Sequence, residues 1–381
     1  MTVRIPTLSS LASIEQVLRK IAGAPGSEPL VLPQNLRHFG CGGEAALSQM
    51  LVTWAQQRSV ATLKTYVQAP EQIEELVRRL PGLTGSLCAG AVMGFGKVGE
   101  VTHEVRAAAL ARLAVLSSSK PTEAYRGSSV EILCADHLGL NAPYLLYQAD
   151  QGNVPRLRSR ESFSLLASWL LKQTVPKTYQ DSIAPAIADA LSGMMFELFK
   201  NTEEHGQVDA FGNILSMSIR AIKTVHHAIT PETLLRIVAD YPPLAHYCQS
   251  LETAEGAAQT HMFELSVLDS GPGFAVSRSG RKLVELDLDE EEAAVRECFT
   301  NFSAKISSRF GQGLPHVLRV LHQERGFLRL RTGRLSIHAD FSGANAEEGP
   351  EALQVFRPDN GALAPVSGSL LTVILPLRRA R

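Results

Sequence analysis

A chain of 381 residues, 45% hydrophobic and 20% charged, has the make-up of a folded protein of about two or three domains rather than a disordered one. Lys and Arg number 37 against 38 for Asp and Glu, so no global field draws the chain onto nucleic acid or an anionic membrane. Cys41, Cys88, Cys134, Cys248 and Cys298 are scattered without a C-x-x-C pair, which suggests neither a disulfide framework nor a zinc site and fits a reducing compartment. The opening run Met1–Pro6 lacks the apolar core of a signal peptide, and no apolar run reaches the roughly 18 residues of a membrane-spanning helix. The expectation is a cytoplasmic protein with no membrane contact.

In chain order, the turn-rich stretch 23–29 separates a short opening helix from a strand candidate, Leu30–Leu32. Gly40, Gly42 and Gly43 lead into an amphipathic helix from Glu44 to Gln57. A Glu-rich helix after Pro70, a strand near Leu87–Met93 and a helix from about Glu100 continue an alternating pattern. Alternation of this kind predicts an α/β layered domain over residues 1–150, regulatory or partner-binding in role. Ala149–Arg160 is polar and basic, with Gly152 and Pro155, and reads as a linker. From Glu161 a second pattern begins: two helices, a strand, a long polar segment, a helix and closing strands. A second α/β domain over residues 160–381 is expected.

Three departures from simple patterning mark that second half. Ile183, Ile187, Leu191, Met194 and Leu198 share one helical stripe, with Asp181 or Ser182 as the cap. The stripe continues into Asn201 and His205, with Glu197 on its border. Polar groups on a buried face are costly unless something polar meets them, so together they point to a pocket. Phe263, Leu265 and Val267 alternate on a strand, and Asp269 falls on the same apolar face, directly before Gly271-Pro272-Gly273. Phe310-Gly311-Gln312-Gly313-Leu314-Pro315 precedes a helix with Leu314, Val317, Leu318 and Leu321 on one side. Glycines there expose N–H donors at a positive dipole end, which suits phosphate.

In this order the three pieces resemble the GHKL, or histidine-kinase-like, ATPase family. Glu197-Leu198-Phe199-Lys200-Asn201 is similar to its E-x-x-x-N box, and the run to His205-Gly206 is most similar to the anti-sigma-factor kinase version. Asp269-Ser270-Gly271-Pro272-Gly273 resembles the D-x-G-x-G box, Gly311-Gln312-Gly313-Leu314 the second glycine box, and Gly368–Pro376 the closing strand. The resemblance implies a Bergerat-type α/β sandwich, a mixed sheet with helices on one face and ATP between the layers. It implies Glu197 as general base, Asn201 as an oxygen ligand of Mg²⁺, and Asp269 as reader of the adenine amino group. Gly271 and Gly273 would let the base approach, while Gly311, Gln312 and Gly313 would wrap the phosphates. Residues 274–310 would form a lid, with Lys305 or Arg309 reaching the γ-phosphate. Glu204 stands where many members carry Asp, and the stretch around His226–Gln259 reads as a helical insertion.

These features lead to the expectation of a Mg-dependent ATPase whose lid closure rearranges a protein partner or a second protomer. An anti-sigma-type Ser/Thr protein kinase and a non-hydrolysing nucleotide sensor are the alternatives. Leu30–Gln57 bears a faint similarity to STAS-type regulatory modules. His103-Glu104-Val105-Arg106 resembles a phosphoacceptor box but lacks the following Pro, and Gly94–Gly99 fits G-x-G-x-x-G without the acidic ribose partner. Arg329 and Arg331 share a strand face near Arg325 and Arg334 and read as solvated charges.

Overall fold

The computed structural model describes the chain except for residues 1, 8, 25, 27, 35–40, 97, 122–124, 126, 141, 150, 151, 153, 181, 182, 184, 256–258, 301–312, 359–361 and 378–381. The amino-terminal part runs β1 (Val3–Arg4), α1 (Leu11–Gly23), β2 (Leu30–Val31), α2 (Gly43–Gln56) and β3 (Thr62–Lys64). It continues through α3 (Pro70–Arg78), α4 (Leu80–Cys88), β4 (Ala91–Met93) and α5 (Thr102–Ser117). Strands β1 to β4 pair in that order, parallel throughout. Ser10 starts α1 by accepting the Ser13 amide, and Pro70 opens α3, where its missing N–H costs nothing. Just after β4 the Gly94 amide donates to the Gly99 carbonyl at 2.8 Å, bringing the ends of that glycine run together.

Next come β5 (Ser129–Ala135), the hairpin of β6 (Tyr147–Ala149) and β7 (Pro155–Leu157), and the helices α6 (Arg160–Thr174), α7 (Lys177–Gln180) and α8 (Pro185–His205). The expected linker is therefore a hairpin. Strand β8 (Ile219–Ile229) leads into α9 (Pro231–Val238), α10 (Pro242–Glu255) and β9 (Thr260–Asp269). The chain closes with α11 (Phe274–Ser279), α12 (Leu288–Cys298), α13 (Gly313–Gln323), β10 (Phe327–Gly333), β11 (Leu335–Asp340), β12 (Gln354–Val355) and β13 (Val366–Pro376). The helical stretch expected around His226–Gln259 is present as α9 and α10, while His226–Ile229 completes β8.

A seven-stranded sheet in the order β12-β11-β10-β13-β9-β8-β5 forms the centre of the molecule, antiparallel at every pairing. The large sheet is therefore not the mixed sheet expected of the second domain, and the parallel pairings all belong to the small amino-terminal sheet. Period-two alternation sorts the side chains of β9: Phe263, Leu265 and Val267 join the core under α6, α8 and α13, while Met262 and Leu268 join the core on the far side.

Two expectations change here. Helices cover both faces of the large sheet, because α2, α9 and α10 pack on the side opposite α8. Helix α2 is buried all round, from Ala45 and Leu47 to Met50 and Trp54, since it lies between the small parallel sheet and the large one. The second change concerns the boundary at residue 150. Strand β5 precedes it yet forms the edge of the large sheet, paired with β8 from Ser129↔Val225 to Ala135↔Ile219.

The arginines of β10 are a further correction. Arg329 is 3% exposed and Arg331 1%, so neither is a solvated charge. Glu15 of α1 reaches across, accepting from Arg331 Nε at 2.8 Å and Nη2 at 3.1 Å, and lies 3.7 Å from Arg329. Gly333, Leu335 and Ala364 carbonyls take the remaining Arg331 donors. A buried charge is costly unless paired and hydrogen-bonded, and for Arg331 the amino-terminal layer supplies the hydrogen-bonded partner.

Candidate functional site

Helix α8 buries Ile187, Leu191, Met194 and Leu198 against the sheet, which carries its polar carboxyl end to the end of β9. The two ends touch backbone to backbone. A Cβ on Gly206 would lie 2.6 Å from the Thr202 carbonyl and 2.9 Å from Asp269 Cβ. One on Gly271 would lie 2.5 Å from the His205 carbonyl, so both positions require glycine.

Asp269 sits on the α8 side of the sheet, 7% exposed. Its Oδ1 accepts the Gly271 amide at 2.9 Å and its Oδ2 accepts the Ser369 hydroxyl of β13. Burial pushes its pKa above the ordinary carboxylate value, although the Ser369 and Gly271 hydrogen bonds pull the other way. Each carboxylate oxygen accepts more than one hydrogen bond, so capacity for a further donor remains.

A cleft of about 280 Å³ opens over this carboxylate. Asn201, Glu204 and His205 from α8, Asp269 and Ser369 from the sheet, and Gly273 and Phe274 form much of its wall. Gly273 has φ +84°, a left-handed conformation that bends the chain into α11 beside the cleft. The Asn201 side-chain nitrogen is enclosed and has no hydrogen-bond partner. An enclosed amide nitrogen with no protein acceptor beside a cleft is placed to donate to a bound polar group. The amide can equally present its oxygen there after rotation about its terminal bond.

The other expected residues fall in different places. Glu197 lies one turn before Asn201, half-buried, 3.4 Å from Arg160 Nη1, and outside the cleft wall. Gly313 opens α13 directly against it, where a Cβ would lie 2.7 Å from Glu197 Oε2. Gly271 supports Asp269 from beneath. Lys305, Gly311 and Gln312, like Arg309, lie outside the described residues, as do the helix-cap candidates Asp181 and Ser182.

Ser369, within the closing-strand run but not singled out in it, and Arg220, which belongs to no motif, both fix the site. Arg220 on β8 is 2% exposed and gathers the end of α8. Its Nε and Nη2 donate to Asp136 at 2.9 and 2.7 Å, and its Nη1 donates to Tyr147 Oη at 2.8 Å and to Glu203. The Tyr147 hydroxyl also donates to Glu203. Burial opposes the charge on Arg220, but Asp136 and its other partners raise its pKa above the usual guanidinium value. The one sequence signal is an arginine within an otherwise apolar strand start, Ile219-Arg220-Ala221-Ile222.

Chemically, the arrangement offers a buried carboxylate, an enclosed amide nitrogen without a protein partner and two exposed polar groups at the rim, Glu204 and His205. That set can read a planar amino-bearing group and hold a hard cation beside it. Comparison of the chain with models of protein families, with curated proteins and with solved structures finds no match.

Proposed function

We propose that the chain is a Mg-dependent ATP-binding protein of the GHKL class that hydrolyses ATP and so alters how a protein partner or second protomer is held. The observation that carries this reading is the meeting of buried Asp269 and the partnerless Asn201 amide on one glycine-edged cleft. Asp269 reads the adenine amino group, using acceptor capacity that Ser369 and Gly271 leave free. Asn201, turned to present its oxygen, ligates Mg²⁺, a cation that prefers hard oxygen donors. Bound ATP supplies the transferable γ-phosphoryl group. The helices α8, α11, α12 and α13 over the large sheet are the layers of a Bergerat-type sandwich on this reading. The amino-terminal layer is its regulatory or partner-binding part.

One observation favours a second reading. Glu197, the proposed base, is engaged by Arg160 and stands off the cleft wall. A chain that kept this pair would bind nucleotide without turnover, as a sensor.

Calorimetric titration with Mg·ATP, run beside phosphate release, separates these. Asp269→Asn is expected to weaken binding about 10- to 100-fold, the worth of a hydrogen bond to a charged acceptor. Glu197→Ala is expected to keep binding and lose about 100-fold or more in turnover. Binding without phosphate release by the native chain selects the sensor, and no binding at all overturns the proposal.

A further inference from the structure

A second polar cluster lies on the opposite face of the large sheet, away from the nucleotide cleft. Cys41 stands just before α2, whose amino cap is Gly42, while His227 and Glu264 project from β8 and β9. One donor atom from each of the three, a sulfur, a ring nitrogen and a carboxylate oxygen, lie within 4.8 Å of one another. Among the described residues this is the single set of three metal-ligating side chains that converges so closely.

Two chemistries use a cysteine, a histidine and an acid. In a nucleophilic relay the thiol and the acid occupy opposite nitrogens of the imidazole, which holds sulfur and oxygen about 7 Å apart. Here both face the same point, within 4.8 Å. Convergence on a point is the geometry of a cation site, where bonds of about 2.0–2.3 Å leave tetrahedral donors about 3.3–3.8 Å apart.

We propose that Cys41, His227 and Glu264 bind one Zn²⁺ ion, with the fourth coordination position open to an adjoining cleft. The surrounding groups are arranged as a metal site needs. The Gly42 amide donates to Glu264 Oε2 at 2.8 Å and the Ser266 hydroxyl to Oε1 at 3.0 Å, which fixes the carboxylate's orientation. His227 Nε2 lies 2.9 Å from Glu264 Oε2, so a hydrogen bond spans the gap that the ion would occupy. Zinc displaces that proton and the Cys41 thiol proton to solvent. A thiolate selects Zn²⁺ over Mg²⁺ or Ca²⁺. Cys41 and Glu264 are buried, and the cleft of about 350 Å³ beside them, also lined by Ser128, Ser129 and Lys223, leaves room for a water or a small oxygen ligand on the ion. Three ligands and one open position is the pattern of a reactive zinc rather than a closed structural one. The ligand spacing of Cys41, His227 and Glu264 along the chain matches no short motif, and the scattered cysteines gave no hint of it.

The test uses the full chain stripped with a chelator, titrated with Zn²⁺ against a chromophoric competitor, and separately loaded with Co²⁺. One equivalent of zinc per chain and a thiolate-to-cobalt charge-transfer band are expected. Cys41→Ser and His227→Gln, checked for folding by circular dichroism, should each weaken zinc binding by about 100-fold or more, with Cys88→Ser unchanged. The cobalt spectrum of the native chain needs no variant. Its lack of a thiolate band, no zinc uptake, or full affinity in a folded Cys41→Ser variant would each overturn the site.

Discussion

Asp269 is a carboxylate that the fold makes expensive to ionise, and this has a consequence for ligand binding. Burial raises its pKa above 3.8, while Ser369, Gly271 and the nearby His205 only partly restore the charged form. As pH rises from the unfolded value through the folded one, the folded chain holds the extra proton, so this group's contribution to stability is lost upward across that window. On the proposed function, nucleotide affinity takes the opposite slope, because only the ionised carboxylate is a full acceptor for an amino N–H. Affinity for ATP, measured by calorimetry from neutral pH downward as far as the native fold persists, should fall toward acid for the native chain. It should fall less steeply for Asp269→Asn, whose amide does not titrate and whose profile therefore carries only the titration of the nucleotide and its other partners. Parallel profiles for the two proteins would remove Asp269 from the recognition of the base.

At the scale of elements, α1 is pinned to the sheet by charge as well as by its apolar stripe of Leu11, Ile14, Val17, Leu18 and Ile21. Glu15 is the partner of Arg331 and a neighbour of Arg329 on β10, both buried. Glu15→Ala leaves those cations without their carboxylate, and breaking a buried pair from one side costs about 3–5 kcal/mol. A denaturant midpoint lowered to match, with Glu15→Gln losing less, is the expected result; a shift under about 1 kcal/mol would show that water replaces the carboxylate. The sequence could not announce this pair, since an arginine on alternate strand positions looks the same whether solvent or a distant helix meets it. Local signals were legible where periodicity and caps decide the outcome. The stripe of α8, the alternation that puts Asp269 on the α8 side, and α2 from Gly43 all follow from residue spacing. Strand β3, three residues long, carries too little pattern to read, and the Cys41–His227–Glu264 convergence and the Arg220 clamp depend on tertiary pairing alone.

Across the whole molecule, one sheet serves two layers, and its strand β9 faces both. Asp269 looks toward α8 and the cleft, and Glu264, on the opposite face, meets the cap of α2. The chain is therefore less divisible than its alternating pattern suggests. A fragment of residues 160–381 would lack β5, leaving β8 as an unpaired edge. It would also strip α2 and α1 from the far face, uncovering apolar residues of β9 and β13 such as Leu268 and Leu370. Arg331 would lose Glu15, and Lys223 would lose both Glu44 at 2.7 Å and Glu131 at 3.1 Å. An apolar face of this extent next to unpaired cations has no stable monomeric solution. The fragment is expected to aggregate or to bind a hydrophobic dye with its near-ultraviolet circular dichroism lost, whereas the full chain elutes as a folded species. A soluble fragment with native aromatic signal and undiminished ATP affinity would show instead that the amino-terminal layer is an accessory. In that case the partner-binding role proposed for it could be tested by adding residues 1–150 back in trans.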